Sequence, residues 1–191
     1  MFYQRMHCRT TLFIALVLLS LYSSVLLSDD TRDRRVIISA SIFPRIVAVD
    51  LDLAQKLDAS KNVRLGLIYV SNKLAAEKIA RLMTRNIKNI AGNNIVIELI
   101  NVTEFDFGNL GRLTGLFFVQ RVSAEQLKKI SLYSKQFNVL TFSPFEGDIE
   151  RGVMASIFVG AKIRPYFNLA SLSRAGVNLK SALIRVSKTY E

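Results

Sequence analysis

Residues 63–100, VRLGLIYVSNKLAAEKIARLMTRNIKNIAGNNIVIELI, contain the pattern that decides the fold. The first part, Val63–Val70, alternates and is rich in β-branched and aromatic residues, which predicts a strand. Apolar side chains then recur at helical spacing from Lys73 to Ile90, behind Asn72 as the N-cap. Asn94–Ile100 predicts the next strand. A strand, a helix and a strand with short connections form the unit from which parallel sheets are built.

The same order of elements repeats further along the chain. Leu116–Val119 predicts a strand, Ala124–Gln136 an amphipathic helix and Asn138–Phe142 another strand. We therefore expect a single-domain α/β sandwich with a mostly parallel sheet covered by helices. Val36–Val49, which precedes these elements, is ambiguous, because its β-branched start suits a strand and its later apolar residues lie at helical spacing.

The pattern changes after Pro144. Two extended runs, Val153–Val159 and Lys162–Leu169, predict a β-hairpin, and glycine first in the connecting Gly160-Ala161 pair suits a type II′ turn. A short helix and then a final helix follow, the final one with Asn178 as its expected cap. The predicted buried stripe of the final helix is Leu179, Ala182, Leu183 and Val186.

The start of the chain has the order of a secretory signal. The uncharged run Thr11–Leu27 follows Arg5 and Arg9 and is succeeded by polar residues. We expect residues 1–28 to be a signal peptide or an N-terminal membrane anchor, residues 29–35 a linker and residues 36–191 the working domain. The single histidine and the single cysteine, His7 and Cys8, both precede the run. An exported domain would therefore lack both imidazole and thiol chemistry.

The net charge of +11 becomes +9 once Arg5 and Arg9 are set aside. An exported protein meets little nucleic acid, so lipid headgroups, polysaccharide or an acidic partner are the expected counterparts. The alternative is that the charge keeps the domain soluble. The basic side of the long helix, which includes Lys73, Arg81 and Arg85, allows the same two interpretations.

No motif in the sequence predicts catalysis. Gly108, Gly111 and Gly115 do not have the spacing of a phosphate-binding loop and precede a strand, so we interpret them as turn residues. The acidic runs Glu104–Asp106 and Glu146–Glu150 are expected to be solvated loop carboxylates. We predict no catalytic residue, no metal site and no cofactor.

The carboxyl ends of the predicted parallel strands are the expected binding site, because ligands of open parallel sheets lie at that edge. The polar and aromatic residues that gather there are Ser71, Asn72, Gln120, Arg121, Ser143 and Phe145.

The C-terminal segment contains a Gly-led hairpin from Gly152, an Asn-Leu entry to a helix, an Ala-Gly break and a Leu-rich last helix. In these features it resembles the YfiR family. The stretch RIVAVD, ending at Asp50, also resembles one branch of that family. The resemblance implies structural roles for Asp50, Gly152, Asn168, Leu169, Gly176 and Leu183.

Members of the YfiR family are periplasmic proteins of Gram-negative bacteria. The resemblance implies a regulator that represses a membrane-bound diguanylate cyclase by binding its periplasmic sensor domain, and it suggests a homodimer. Two alternatives stay open at this point. One is a periplasmic small-solute binder or transport accessory protein that uses the sheet edge. The other is an envelope protein tethered to the inner membrane through residues 11–27.

Overall fold

The structure, a computed structural model, describes residues 33–104, 106 and 110–191. Its strands are β1 (Val63–Tyr69), β2 (Asn89–Ile90), β3 (Asn93–Asn101), β4 (Gly115–Phe118), β5 (Leu140–Phe142), β6 (Ala155–Val159), β7 (Ile163–Asn168) and β8 (Lys188–Tyr190). Its α-helices are α1 (residues 33–47), α2 (Lys73–Asn86), α3 (Ala124–Phe137), α4 (Leu169–Arg174) and α5 (Ser181–Val186). Short 3-10 helices cover Leu53–Lys56 and Val102–Glu104.

The described strands form one sheet in the order β2-β3-β1-β4-β5-β6-β7-β8. From β3 to β6 every neighbouring pair is parallel. The pairs β2–β3 and β6–β7 are antiparallel, and β8 runs parallel to β7. The predicted α/β class, with a mostly parallel sheet, a C-terminal hairpin and a final helix, is confirmed.

The ambiguous segment Val36–Val49 is helical as far as residue 47. Its buried apolar residues follow helical spacing, and Phe43 meets the rings of Phe117 and Phe142 at centroid distances of 5.5 and 5.7 Å. Gly115 lies beneath this contact, because a Cβ there would lie 2.8 Å from Cζ of Phe43. Gly115 is thus the first residue of a buried strand, and its interpretation as a turn residue was wrong.

The predicted end of the long helix and the predicted hairpin turn are wrong, because strand pairing sets different bounds. Helix α2 ends at Asn86 and not at Ile90, because Asn89 and Ile90 pair with the start of β3. The hairpin pairs Val159 with Ile163, so its loop has three residues. Gly160 does not have the positive φ that a type II′ turn requires, and that turn assignment was wrong.

The final helix also differs from its prediction. Asn178 does not cap it; its side-chain amide donates to Asp52 Oδ2 at 2.8 Å, and Lys180 occupies the N-cap position without a side-chain bond. None of the helical residues of α5 is buried, and Val186 is 64% exposed. The short strand β8, absent from the prediction, follows the helix and pairs with β7.

Several predictions concern residues that the structure does not describe. The predicted leader, residues 1–28, lies outside the described residues, as do Phe105 and Gly108. Within the described ranges, no helix combines the length and the apolar character needed to span a bilayer. Val36–Glu191 forms a compact unit by itself.

Candidate interaction site at the carboxyl edge of the sheet

The side chain of Gln120 occupies the position at which a ligand of an open parallel sheet would sit. Its Oε1 accepts hydrogen bonds from the backbone N–H groups of Val70, Ser71 and Asn72, at 2.9, 3.0 and 2.9 Å. These N–H groups follow the carboxyl end of β1 and lead into α2. Successive N–H groups before a helix form a concavity, or nest, that binds anions. Here the neutral amide oxygen of Gln120 occupies that concavity in place of an anion.

A buried carboxylate, Asp148, organises the neighbouring strand ends. Its Oδ2 accepts from Ser143 Oγ at 2.6 Å, and its Oδ1 lies 2.8 Å from Arg151 Nη1 and 3.6 Å from Arg121 Nε. Asp148 is fully buried. The prediction that the acids of Glu146–Glu150 are all solvated is therefore wrong for Asp148. The two guanidinium groups thus interact with the same carboxylate oxygen.

Arg121 is held in place by several groups. Its Nη2 donates to the carbonyl oxygen of Glu146, and its guanidinium lies 5.8 Å from the ring centroid of Phe145. The Phe145 N–H in turn donates to Ser143 Oγ at 3.2 Å. About half of the Arg121 side chain is nevertheless exposed, so the cation is fixed and accessible at once.

The six predicted binding residues therefore lie at one edge but differ in accessibility. Ser143 and Phe145 are buried and support the loops from within. Leu74, in the first turn of α2, is 70% exposed and was not among the predicted binding residues. Its position outside the apolar stripe of that helix was the available signal. We define the carboxyl-edge patch as the exposed residues Ser71, Asn72, Leu74 and Arg121.

Asp50 is one of the residues for which the family resemblance implies a structural role. It connects the stretch RIVAVD with the C-terminal segment, the two parts of the chain that show the resemblance. Its carboxylate is 2.5 Å from Lys56 Nζ, and each of these side chains is 1% exposed. The backbone of Asp50 also forms an antiparallel bridge with Leu179. The end of α1 is thereby fastened to the C-terminal segment.

The other residues implied by the resemblance occupy backbone turns and helix ends. Asn168 accepts from the Ser171 N–H at 2.7 Å and donates to the Ile149 carbonyl at 2.8 Å. Leu169 begins α4, and Leu183 packs on the core from α5. Gly152 and Gly176 have φ values of +102° and +61°, a region that favours glycine.

An aromatic and cationic cluster is formed by side chains of β6, β7 and β8. Lys188 Nζ is 3.9 Å from the ring centroid of Phe158 and 5.0 Å from that of Tyr166. The Tyr166 hydroxyl donates to Glu150 Oε1 at 3.3 Å. Burial first, and then the negative charge of Glu150, raise the pKa of Tyr166 above its usual value.

The protein is a one-lobed α/β domain with an open, mostly parallel sheet and a C-terminal hairpin. At the carboxyl edge of its sheet, the Gln120 amide oxygen binds the N–H groups that follow β1. The chain belongs to the YfiR/HmsC-like family, whose model matches residues 54–188. No curated protein matches the chain.

Solved structures share the fold at low identity. A conserved domain protein from Vibrio cholerae is 12% identical with a TM-score of 0.51, over 76% of this chain and 60% of its own. The ligand-free, open form of a substrate binding protein with adhesive properties from Clostridium difficile is 15% identical with a TM-score of 0.50, over 75% and 60%. The chain thus spans about 60% of the length of these proteins, and the likeness shows the fold alone.

Proposed function

We propose that this protein is a non-catalytic periplasmic regulator that binds the sensor domain of a membrane-bound diguanylate cyclase and represses it. Membership of the YfiR/HmsC-like family over residues 54–188 is the observation that carries the proposal. The secretory pattern of residues 1–28 supports export into the periplasm of a Gram-negative bacterium. The protein is either soluble there or tethered to the inner membrane through residues 11–27.

Repression of this kind needs only a difference in affinity. A domain that binds the inactive conformation of the cyclase sensor more tightly than the active one shifts the population toward the inactive form. Each tenfold difference in affinity contributes about 1.4 kcal/mol to that shift. No bond of the partner has to be made or broken.

The carboxyl-edge patch is the surface that we assign to the cyclase sensor. Leu74 supplies an exposed apolar contact beside the hydrogen-bonding side chains of Ser71 and Asn72. Arg121 supplies a cation that Asp148 and Phe145 already hold in position, so little side-chain entropy is lost when a partner binds. Arginine is also among the residues that most often dominate interface energies.

A small-solute site at the same edge is the second candidate. The amide oxygen of Gln120 already satisfies the N–H groups that would recognise an anionic solute, which favours protein contact over solute binding there. Pockets for small molecules also enclose most of the ligand, whereas a one-lobed domain leaves the strand ends open. A thermal-shift screen with amino acids, sugars and anions separates the two, because only a solute binder gives a saturable rise in melting temperature that Gln120→Ala alters.

The test of the regulator is genetic and uses matched surface substitutions. Deletion of the gene should raise cyclic di-GMP, and the wild-type gene should restore the low level. Leu74→Asp, placed in the patch, should fail to restore it. Leu132→Asp, at a 57% exposed position on α3, should restore it fully. Unchanged cyclic di-GMP after deletion, in a strain that retains its cyclases, would contradict the proposal.

Fractionation tests the compartment separately. Recovery of the protein in the periplasmic extract without detergent would refute the membrane tether. Recovery in the cytosol with an unprocessed leader would refute export altogether.

A further inference from the structure

A concave surface lies between α3 and α4, and one of its residues, Arg151, shares the Asp148 carboxylate with Arg121 of the carboxyl-edge patch. One side is a single face of α3, with residues at helical spacing, and the other side is α4. We call it the α3–α4 cleft; it is lined by Ala124, Leu127, Lys128, Ser131, Ser134, Lys135, Thr141, Arg151, Gly152, Met154, Ser171, Arg174 and Ala175. Its volume is about 440 Å³, within the range of roughly 300–1,000 Å³ of small-molecule sites.

The charged residues that line the α3–α4 cleft are all basic. Its ionisable lining residues are Lys128, Lys135, Arg151 and Arg174, and no lining residue is acidic. In the described part of the chain, neither Lys128 nor Lys135 forms an ion pair. By contrast, the adjacent Lys129, outside the cleft, pairs with Glu125 at 3.2 Å. A concave site with low-dielectric walls and one sign of charge concentrates ligands of the opposite sign.

The two guanidinium groups of the cleft are positioned in advance. Arg151 donates through Nη1 to Asp148 Oδ1 and through Nη2 to the Val122 carbonyl, at 2.8 and 2.9 Å. Arg174 Nη2 donates to Ser171 Oγ at 2.9 Å. Asp148 offsets part of the charge of Arg151 and is also close to Arg121, at 3.6 Å. Because these bonds fix the two side chains, an anion loses little affinity to ordering them.

The remaining lining sets the size and chemistry of the ligand. Leu127, Met154 and Ala175 make the interior apolar, and Ser134 and Thr141 already use their hydroxyl groups within the protein. Few neutral polar groups are therefore left to recognise a sugar or an amide. The available recognition is charge-assisted hydrogen bonding from the four cations, which suits phosphate and carboxylate groups.

We propose that the α3–α4 cleft binds a small soluble polyanion, a phosphate ester or polycarboxylate. The proposal does not rest on the proposed regulation of a cyclase. It rests on a cleft of ligand size that is lined by four basic residues and by no acidic one.

Isothermal titration calorimetry of the full chain with pyrophosphate and with citrate tests this, at a constant ionic strength of about 0.15 M. We expect saturable one-to-one binding to the wild-type protein. The double variant Lys128→Gln/Lys135→Gln should weaken it about tenfold or more, since two charge-assisted contacts are lost. Lys129→Gln, one residue away on the same helix, is the matched control and should leave the affinity unchanged.

Three results would overturn the inference. One is the absence of saturable binding up to about 10 mM of either anion, which is weaker than ordinary ligand affinities. Another is an equal loss of affinity in Lys129→Gln, which would indicate unspecific attraction to the net charge. The third is binding to phosphatidylglycerol vesicles without binding to the free anions, which would assign the cations to a lipid surface.

Discussion

Removal of one partner of the buried Asp50–Lys56 ion pair should destabilise the protein severely. The two atoms are 2.5 Å apart, and each side chain is 1% exposed. Lys56→Met keeps the approximate shape but leaves the Asp50 carboxylate, among the described residues, with the Asp52 N–H at 3.0 Å as its other hydrogen bond. An uncompensated buried charge costs about 3–5 kcal/mol. For a domain of this size that loss corresponds to a fall in melting temperature of roughly 6–20 °C.

The double variant Asp50→Leu/Lys56→Met separates charge from packing. With both charges removed, no buried ion is left uncompensated, so we expect a cost of about 1–3 kcal/mol, mainly for the lost acceptor of the Asp52 N–H. The two single substitutions should therefore sum to well over the cost of the double one. Urea unfolding followed by far-ultraviolet circular dichroism measures all four free energies, and this readout suits a chain that has no tryptophan.

An exposed ion pair provides the control. Lys129 and Glu125 are 3.2 Å apart with side chains 58% and 79% exposed, so Lys129→Met should cost at most about 1 kcal/mol. The predicted penalty for an unpaired buried charge is refuted if Lys56→Met is as mild as this control. It is equally refuted if the costs of the two single substitutions add up to that of the double variant.

Three further substitutions test the sheet, the nest and the alkaline limit of stability. Gly66→Ala should cost about 1–3 kcal/mol in chemical denaturation, because the added Cβ would lie 2.6 Å from Leu116 Cδ2. Gln120→Glu should match or exceed wild-type stability at pH 7, since a carboxylate can accept hydrogen bonds from the same three N–H groups. These bonds lower the pKa of the introduced carboxyl group, and the added stability should be lost as the pH falls through that pKa. Unfolding measured over an acid titration tests this. Burial raises the pKa of Tyr133 above 10.0, so the contribution of its neutral hydroxyl to folding stability is complete below about pH 10 and is lost as the pH rises. Melting curves of Tyr133→Phe should lack this alkaline loss of stability.

The sequence predicts this fold best where one periodicity is undisputed. Val63–Val70 is rich in β-branched and aromatic residues, and its strand is present at nearly the predicted bounds. Ile90 shows the limit, because its apolar side chain fits the helical stripe and also the short strand that pairs with β3. Pairing with a partner formed later in the chain decides between the two, and a local pattern does not contain that information.

The candidate site shows the same limit at the level of side chains. Topology alone places Gln120 near Ser71, because parallel strands end at one edge. The parallel register that sets Phe118 beside Ile68 determines that the Gln120 amide reaches the N–H groups after β1. Asp148 belongs to an acidic loop whose composition predicts exposure, and in the fold its carboxylate is paired with Arg151 from the same loop and lies near Arg121 from the segment after β4.

The shared carboxylate of Asp148 joins the two proposed sites and leads to a last prediction, which rests on both proposals. Arg151 lines the α3–α4 cleft, Arg121 belongs to the carboxyl-edge patch, and both lie near Asp148 Oδ1. A polyanion that attracts Arg151 weakens the hydrogen bond between Arg151 and Asp148 Oδ1. That oxygen then interacts more strongly with Arg121. By linkage, pyrophosphate and the cyclase sensor must then change each other's affinity by the same factor. Asp148→Asn, checked for folding by its melting curve, should abolish that factor in calorimetric titrations made with and without the sensor domain. A factor that persists in Asp148→Asn would show that the carboxylate does not carry the coupling.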